Sequence, residues 1–397
     1  MDFFNYLMIG GGVAAFSAIR GIREHDAVGT IGIISNDKYP PYIRPQISKT
    51  LWQGGNIDEF LLEMPSSGVD LMLSRMVTRI EPAEKVVHDN KGNEYGYERL
   101  LIATGGIPRK IEPDPKGIVH LHTIDDYTEL QEKNNQPENF RNICVVGGGF
   151  IGSEIAAALA QSGKFVTMLF PEVGILGSIL PASLAKYLNT FYKHKGIDVF
   201  PEEAVIGVEK IGREILLKTS KSNMMAFDAV IAGMGIIPET GLARDAGLKV
   251  YNGILVDSHL RTSDPNIFAA GDVARVVNHP VLGTLRSDHV DNAKMMGKVA
   301  GANMAGQDQV YDYLPCFNSI FFDISIEAIG DVNSRYVHVV DWKEEFKEGI
   351  IYYLSSGRLR GVLSLNMPGQ ISAARSLILF GANKIHNVHT LKKLLPV

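Results

Sequence analysis

The strongest constraint on this chain is a glycine pattern that occurs twice, each time between an apolar run and a helical pattern. The chain opens with YLMIGGGVAAFS, where Gly10-x-Gly12-x-x-Ala15 follows the run Tyr6 to Ile9. Residues 142 to 154 read NICVVGGGFIGSE, where Gly147-x-Gly149-x-x-Gly152 follows Ile143 to Val146. Such spacing means little alone; between a strand and a helix it has a specific use. The first glycine permits a tight turn, the second lets a pyrophosphate approach the backbone, and the third position, Ala15 or Gly152, lets helix pack on strand. The phosphates then meet unpaired N–H groups at the positive end of a helix. The pattern predicts helices running to about Arg23 and about Ser162, each followed by a strand, Thr30 to Ser35 and Phe165 to Phe170.

Both units continue alike. MVTRIEPAEKVVHDNKGNEYGYERLLIATGG follows the first and AVIGVEKIGREILLKTSKSNMMAFDAVIAGMG the second. Alternation broken by turn residues reads as a small antiparallel meander returning to a buried strand, LLIAT or AVIAG. Gly10 to Gly105 is 95 positions and Gly147 to Gly235 is 88, so the chain carries an internal duplication of a nucleotide-binding fold. NIFAAGDVA, residues 266 to 274, is a further apolar strand ending in Gly271-Asp272. A carboxylate on that turn can accept hydrogen bonds from a polyol such as a ribityl chain. Two dinucleotide sites, one with a polyol-reading carboxylate, fit hydride exchange between a nicotinamide and a flavin.

Composition narrows the class. A chain of 397 residues exceeds one ordinary core and predicts two or three domains. Apolar residues at 45% and charged residues at 21% are those of a globular protein, and a net charge of −5 argues against a nucleic-acid surface. No apolar stretch reaches spanning length, which argues against a membrane protein, and the start FFNYLMI, without a basic flank, reads as a first strand rather than a signal peptide. The two cysteines, Cys144 and Cys316, suit a reducing compartment, with the cytoplasm expected, and offer neither a metal site nor a disulfide framework.

With these motifs in place, the chain resembles the two-dinucleotide flavoproteins of the pyridine nucleotide-disulfide oxidoreductase superfamily. The resemblance rests on the two fingerprints, ATGG at 103 to 106 and AAGD at 269 to 272. PPYIRPQISKTLW (40–52), LFPEVGILGSILP (169–181) and LRGVLSLNMPGQISAARSLI are similar to segments of its branch of ferredoxin and rubredoxin reductases and apoptosis-inducing factor. The fold implied is α/β, glutathione-reductase-like: two Rossmann-like domains, for FAD and NAD, plus an α+β C-terminal domain. The implied boundaries are 1–115 and 243–314 for FAD, 116–242 for NAD, and 315–397 for a C-terminal sheet (SIEAIGDV, VHVVDW, GIIYYL, GVLSLN) with a helical tail.

The resemblance also implies roles. Lys49 would stand near flavin N5, paired with Glu154, as the catalytic pair; a cation there stabilises negative charge on reduced flavin. Arg44 lies beside it. Phe150 would cover the flavin until nicotinamide displaces it, and Glu172 would take both hydroxyls of the NAD ribose. No arginine or lysine occurs between 170 and 185, so NADH is favoured over NADPH. For the FAD ribose the family has glutamate where this chain has Asn36, with Asp37 next to it as a substitute charge. His289 corresponds to a residue near nicotinamide and flavin, at the start of a helix within 287–304 whose N-terminus would face the flavin pyrimidine. Ala14, Val77, Ala103, Thr104, Gly105, Asp288 and Phe317 belong to the implied cofactor contacts, as do Ile151, Gly233 and Gly235. CFNSIFF departs from the family's FWSD pattern, with Asn318 in place of tryptophan and Ile320 in place of the acid.

The activity implied is an FAD-dependent NADH oxidoreductase. Its partners are NADH and an electron acceptor, either a small molecule (quinone, oxygen) or a small redox protein (ferredoxin, rubredoxin). No redox cysteine pair is expected: Cys144 sits in a strand, and no base is evident near Cys316. The alternative implied by apoptosis-inducing factor is a redox-responsive binding protein with slow turnover and a persistent complex of reduced flavin with NAD.

Overall fold

The computed structural model describes residues 1–49, 55–65, 67–112, 117–135, 140–380, 388–392 and 394–395. The first expected boundary, between 115 and 116, and residues 50–52 of the segment 40–52 lie outside them. The chain divides into two compact units. One comprises Met1–Ile43, Asp58–Ile107 and Ile237–Cys316; the other comprises Arg44–Ile57, Pro108–Ile236 and Phe317–Val397.

In the first unit a parallel sheet carries Val69–Met72, Ile31–Ile34, Asp2–Ile9, Glu94–Ile102 and Ile267–Ala269. Ile31–Ile34 and Ile267–Ala269 are buried throughout, and Asp2–Ile9 and Glu94–Ile102 become buried toward their C-terminal ends, as parallel strands covered on both faces do. Their ends are in register: Ile9 pairs with Ile34 and Ile102, and Ile102 with Ala269. The turns that follow, Gly10–Gly12, Ala103–Gly105 and Gly271–Asp272, therefore emerge along one edge, where open α/β sheets bind ligands. The meander joins this sheet rather than standing apart, because the nine-residue strand Glu94–Ile102 pairs with Val86–Asp89 near its start and with Asp2–Ile9 along its length. Helix Val13–Arg23 packs on helix Val290–Met304 at backbone distance. A Cβ added to Gly297 would lie 2.1 Å from Ala14 O, and one on Gly301 would lie 2.2 Å from Ala18 O.

The meander is pinned by a buried carboxylate. Asp89 accepts hydrogen bonds from Lys91 N (2.8 Å), Asn93 N (2.9 Å), Asn93 Nδ2 (2.8 Å), Tyr95 Oη (2.9 Å) and Arg75 Nη1 (3.2 Å). Burial by itself would raise its pKa, but the bonds from Asn93, Lys91 and Tyr95 outweigh it and hold the carboxyl well below the usual range. Because the folded pKa is depressed, this stabilisation is complete above the unfolded value near about 4 and is lost as pH falls further. Asp89→Asn is expected to destabilise the fold by about 2–4 kcal/mol at pH 7. Urea midpoints at pH 7 and pH 3.5 check this, and the gap between variant and wild type should shrink at the lower pH.

The second unit repeats the parallel core with Ile197–Pro201, Phe165–Phe170, Asn142–Val146, Ala229–Ala232 and Ile118–Val119. Here the meander, Val205–Ile211, Glu214–Thr219 and Met224–Phe227, is a separate sheet. Asp228 separates it from the core, its carboxylate accepting from Arg141 N and Asn142 N (2.9 and 2.8 Å). The same unit holds an antiparallel sheet of five strands, in the order Cys316–Phe321, Ile324–Gly330, Arg358–Leu365, Glu348–Ser355, Val337–Glu344, followed by helix Ile371–Phe380. Four of the strands were expected. The fifth, CFNSIF, is an edge strand that exposes Asn318 and Ile320 and buries Ser319 and Phe321. Two bonds tie this sheet to the loop after Phe165–Phe170: Tyr353 Oη donates to Ile179 O (2.8 Å) and Ser334 N to Ser178 O (3.0 Å).

Candidate active site

Each fingerprint is built as its spacing predicts. Gly10 adopts φ +108° and Gly147 φ +119°, and a Cβ on either would strike a carbonyl, Ala103 O at 2.2 Å or Gly233 O at 2.3 Å. Only glycine fits there. A Cβ on Gly152 would lie 2.0 Å from Gly147 O, so the third glycine permits the helix to close on its own turn. Gly12 and Gly149 behave oppositely. Each is the N-cap of its helix, with no side-chain capping bond, and an added Cβ would meet nothing within 4 Å. A helix N-terminus without a side-chain cap, open at the glycine that would face a phosphate, fits a pyrophosphate in both units. Ile151 follows as an exposed residue of the second helix's first turn.

The first unit gathers more groups beside its cradle. Gly105 has φ +66° and accepts from Glu239 N (3.0 Å), and Thr104 Oγ1 donates to Glu239 O (2.9 Å). Gly235 has φ +80° in the matching turn of the second unit and accepts from Arg109 N (3.0 Å). The Gly271 turn lies against both helix starts: its added Cβ would sit 3.2 Å from Ala14 Cβ and 3.8 Å from Ala293 Cβ. Next to it, Arg286 donates to Asp272 O (3.3 Å) and pairs with Asp288. Arg286 Nε and Ser287 Oγ are buried without a hydrogen-bond partner among the described residues, donors that a polar ligand would satisfy. His289 caps helix Val290–Met304 with extended backbone.

The ribose candidates differ in their setting. Asp37 is engaged by Tyr42 Oη (3.0 Å) and Tyr39 N (3.2 Å), whereas Asn36 is exposed. Glu172 is exposed just beyond strand Phe165–Phe170. Val77 is buried and opposes Asp89 in the meander. Arg44 donates to His122 O (2.9 Å), which anchors the segment that carries Lys49.

Within the second unit the chain brings together residues distant in sequence. Lys49 Nζ lies 3.5 Å from Glu154 Oε1, whose side chain is 6% exposed. Glu154 also accepts from Ser48 Oγ (2.9 Å, at Oε2) and Ser319 Oγ (2.5 Å, at Oε1), while Lys49 Nζ donates to Asn318 O (3.1 Å). Phe150 meets Phe317 edge-on, with centroids 4.9 Å apart. Sequence reasoning had missed both serines. Ser48 was legible only as part of the RPQISK segment, and Ser319 only as the residue of CFNSIFF that keeps the family's serine.

The cysteines are both free. Cys144 is buried in strand Asn142–Val146, and burial pushes its thiol well up. Cys316 Sγ lies 3.1 Å from Tyr313 Oη and 3.9 Å from Asp291 Oδ2. Among the described residues no helix is long and apolar enough to cross a membrane.

Comparison with known proteins agrees with this geometry. Residues 4–297 match the family model described as pyridine nucleotide-disulphide oxidoreductase. The chain is 30% identical to the 5,5'-dehydrodivanillate O-demethylase ferredoxin reductase subunit of a Sphingobium species, over 96% of this chain and 94% of that protein. It is likewise 30% identical to apoptosis-inducing factor 1 of Dictyostelium discoideum, over 95% of this chain and 78% of that protein. Among solved structures, a ferredoxin reductase from Rhodopseudomonas palustris superposes with a TM-score of 0.87 at 25% identity, covering 96% of each chain.

Proposed function

The chain belongs to the pyridine nucleotide-disulphide oxidoreductase family, and on that premise we propose that its two cradles serve one reaction, with FAD at Gly10–Ala15 and a reduced nicotinamide at Gly147–Gly152. The protein is an FAD-dependent NAD(P)H oxidoreductase. The observation that carries this reading is a single helix, Phe150–Gln161, that opens on the uncapped Gly149 and bears the buried Glu154 paired with Lys49.

Bound FAD supplies a ring that takes up hydride and passes electrons onward one or two at a time. The chain's own residues bind and orient. Backbone N–H groups at the two helix starts hold the pyrophosphates, and Asp272 is the carboxylate for the polyol chain. Lys49 supplies the cation of the site and Glu154 fixes it, which favours charge developing in the hydride step. Phe150, resting against Phe317, is the ring that yields to the nicotinamide. No side chain is required as a general base, because the transferred particle is a hydride and the chain's main task is positioning. We assign 1–115 and 243–314 to FAD, 116–242 to the nucleotide and 315–397 to a C-terminal domain.

The exposed Glu172 and the absence of arginine and lysine from 170 to 185 support NADH over NADPH. For the acceptor we propose a small iron–sulfur protein, on the strength of the ferredoxin reductases among the relatives. Buried Cys144, with its raised thiol, is no nucleophile, which supports electron delivery without a redox disulfide. Two free cysteines favour a cytoplasmic location. An anaerobic titration of the yellow protein with NADH, followed by an iron–sulfur acceptor, tests the reading. Rapid bleaching and rapid re-oxidation are expected. Slow bleaching with a lasting long-wavelength charge-transfer band would point instead to a redox-responsive binding protein.

A further inference from the structure

We infer that Ser319, together with Ser48, is a positioning residue: the two hydroxyls lock the Glu154 carboxylate so that it holds the Lys49 ammonium in one place. The inference rests on the reading of Lys49 as the cation of the reaction. At 3.5 Å the Lys49–Glu154 contact is looser than a charge-assisted hydrogen bond, so by itself it does not define where the ammonium points. A lysine head is a rotatable point charge on a flexible stem. Three further bonds remove that freedom. Ser319 Oγ binds Oε1 at 2.5 Å, Ser48 Oγ binds Oε2 at 2.9 Å, and Asn318 O accepts from Lys49 Nζ at 3.1 Å. Both serines are buried, at 2% and 7% exposure, so water does not compete freely for the carboxylate. Among the described residues the ammonium then meets two protein oxygens, Asn318 O and Glu154 Oε1, out of a capacity of three donors.

The edge strand Cys316–Phe321 supplies much of this apparatus. Its alternation turns Phe317 toward Phe150 and Ser319 toward Glu154, while Asn318 contributes only a backbone carbonyl. The family's tryptophan can therefore be replaced by an exposed Asn318 without losing the anchor on Lys49. The serine at 319 cannot be changed in the same way, because there the side chain makes the contact.

Two readouts test this on the FAD-loaded protein. The first is amine labelling of Lys49 by an acylating reagent without NADH, mapped by mass spectrometry against exposed Lys218 in the same unit. The second is anaerobic stopped-flow reduction by NADH, separating the saturating rate from the half-saturating concentration. Ser319→Ala is expected to label Lys49 several-fold faster, and to lower the saturating rate about tenfold with half-saturation unchanged within about twofold. Ser319→Thr, which keeps the hydroxyl, should restore both. In a Lys49→Met background Ser319→Ala should add nothing further to the rate, an epistasis that a merely structural role would not produce. Should Ser319→Ala fail to fold, Ser48→Ala, on the other carboxylate oxygen, is judged by the same thresholds. Unchanged labelling and unchanged rate in the serine variants, while Lys49→Met is slow, would overturn the proposal. If Lys49→Met itself reduces at the wild-type rate, the reading of Lys49 fails; the labelling readout still decides whether the serines hold the amine.

Discussion

In the Lys49→Met variant, anaerobic reduction of bound flavin by NADH is expected to slow by a factor of about 100–1,000, with FAD content unchanged. The size follows from what is removed. Lys49 is the cation held directly against buried Glu154, and methionine keeps its apolar length while deleting the charge. The variant leaves a buried carboxylate without its cation, but the hydroxyls of Ser48 and Ser319 still satisfy both oxygens, so the fold should survive. Glu154→Gln should act in the same direction and more weakly, because an amide can still accept one of the hydrogen bonds. Stopped-flow absorbance at the flavin band, with the flavin-to-protein ratio measured beforehand, checks both. A wild-type rate in Lys49→Met would remove Lys49 from the chemistry.

The second large effect separates the cradles. Gly12→Val and Gly149→Val place a side chain where the backbone is open, with ordinary φ values of −92° and −79°, so each chain should fold with a loss of at most about 1 kcal/mol at the helix cap. The cost falls on the ligands. Gly12→Val is expected to purify without yellow colour and to gain none when FAD is added. Gly149→Val should purify yellow, stay oxidised at NADH concentrations about 100-fold above those that bleach the wild type, and still bleach with dithionite. Circular dichroism verifies folding in each case. Gly152→Val is the contrasting control: its Cβ would meet Gly147 O at 2.0 Å, so it should lose the fold of its unit and not merely a ligand. If Gly12→Val kept the flavin and Gly149→Val lost it, the two cofactors would have to be exchanged between the sites.

Much of the fold was legible because it is encoded over short distances. In each unit a strand of eight or five residues, a glycine turn and a helix lie within some twenty-five positions, and the φ angles above 100° at Gly10 and Gly147 are local requirements that only glycine meets cheaply. The contact between Gly297 and Ala14 was harder to read. The spacing of Gly297 and Gly301 shows small residues on one helical face, but nothing local names the helix that approaches it. The edge strand Cys316–Phe321 was missed because Asn318 and Ser319 interrupt its apolar run. Its alternation becomes meaningful only once one face is known to be buried. Similarly, Asp37 and Asn36 are neighbours of similar chemistry in the sequence, and only the fold engages Asp37 with Tyr42 and leaves Asn36 exposed.

The amino-acid sequence by itself determined that there are two strand–glycine–helix turns, where each begins, and which backbone positions must lack a side chain, since steric fit at a turn depends on neighbours a few residues away. The tertiary structure alone decided how the charged pair is held. Ser48 reaches Glu154 across 106 positions and Ser319 across 165, in bonds that exist only because separate elements bury the same carboxylate. Removing a carboxylate from water makes its remaining hydrogen-bond partners decisive, and burial is a property of the packed chain.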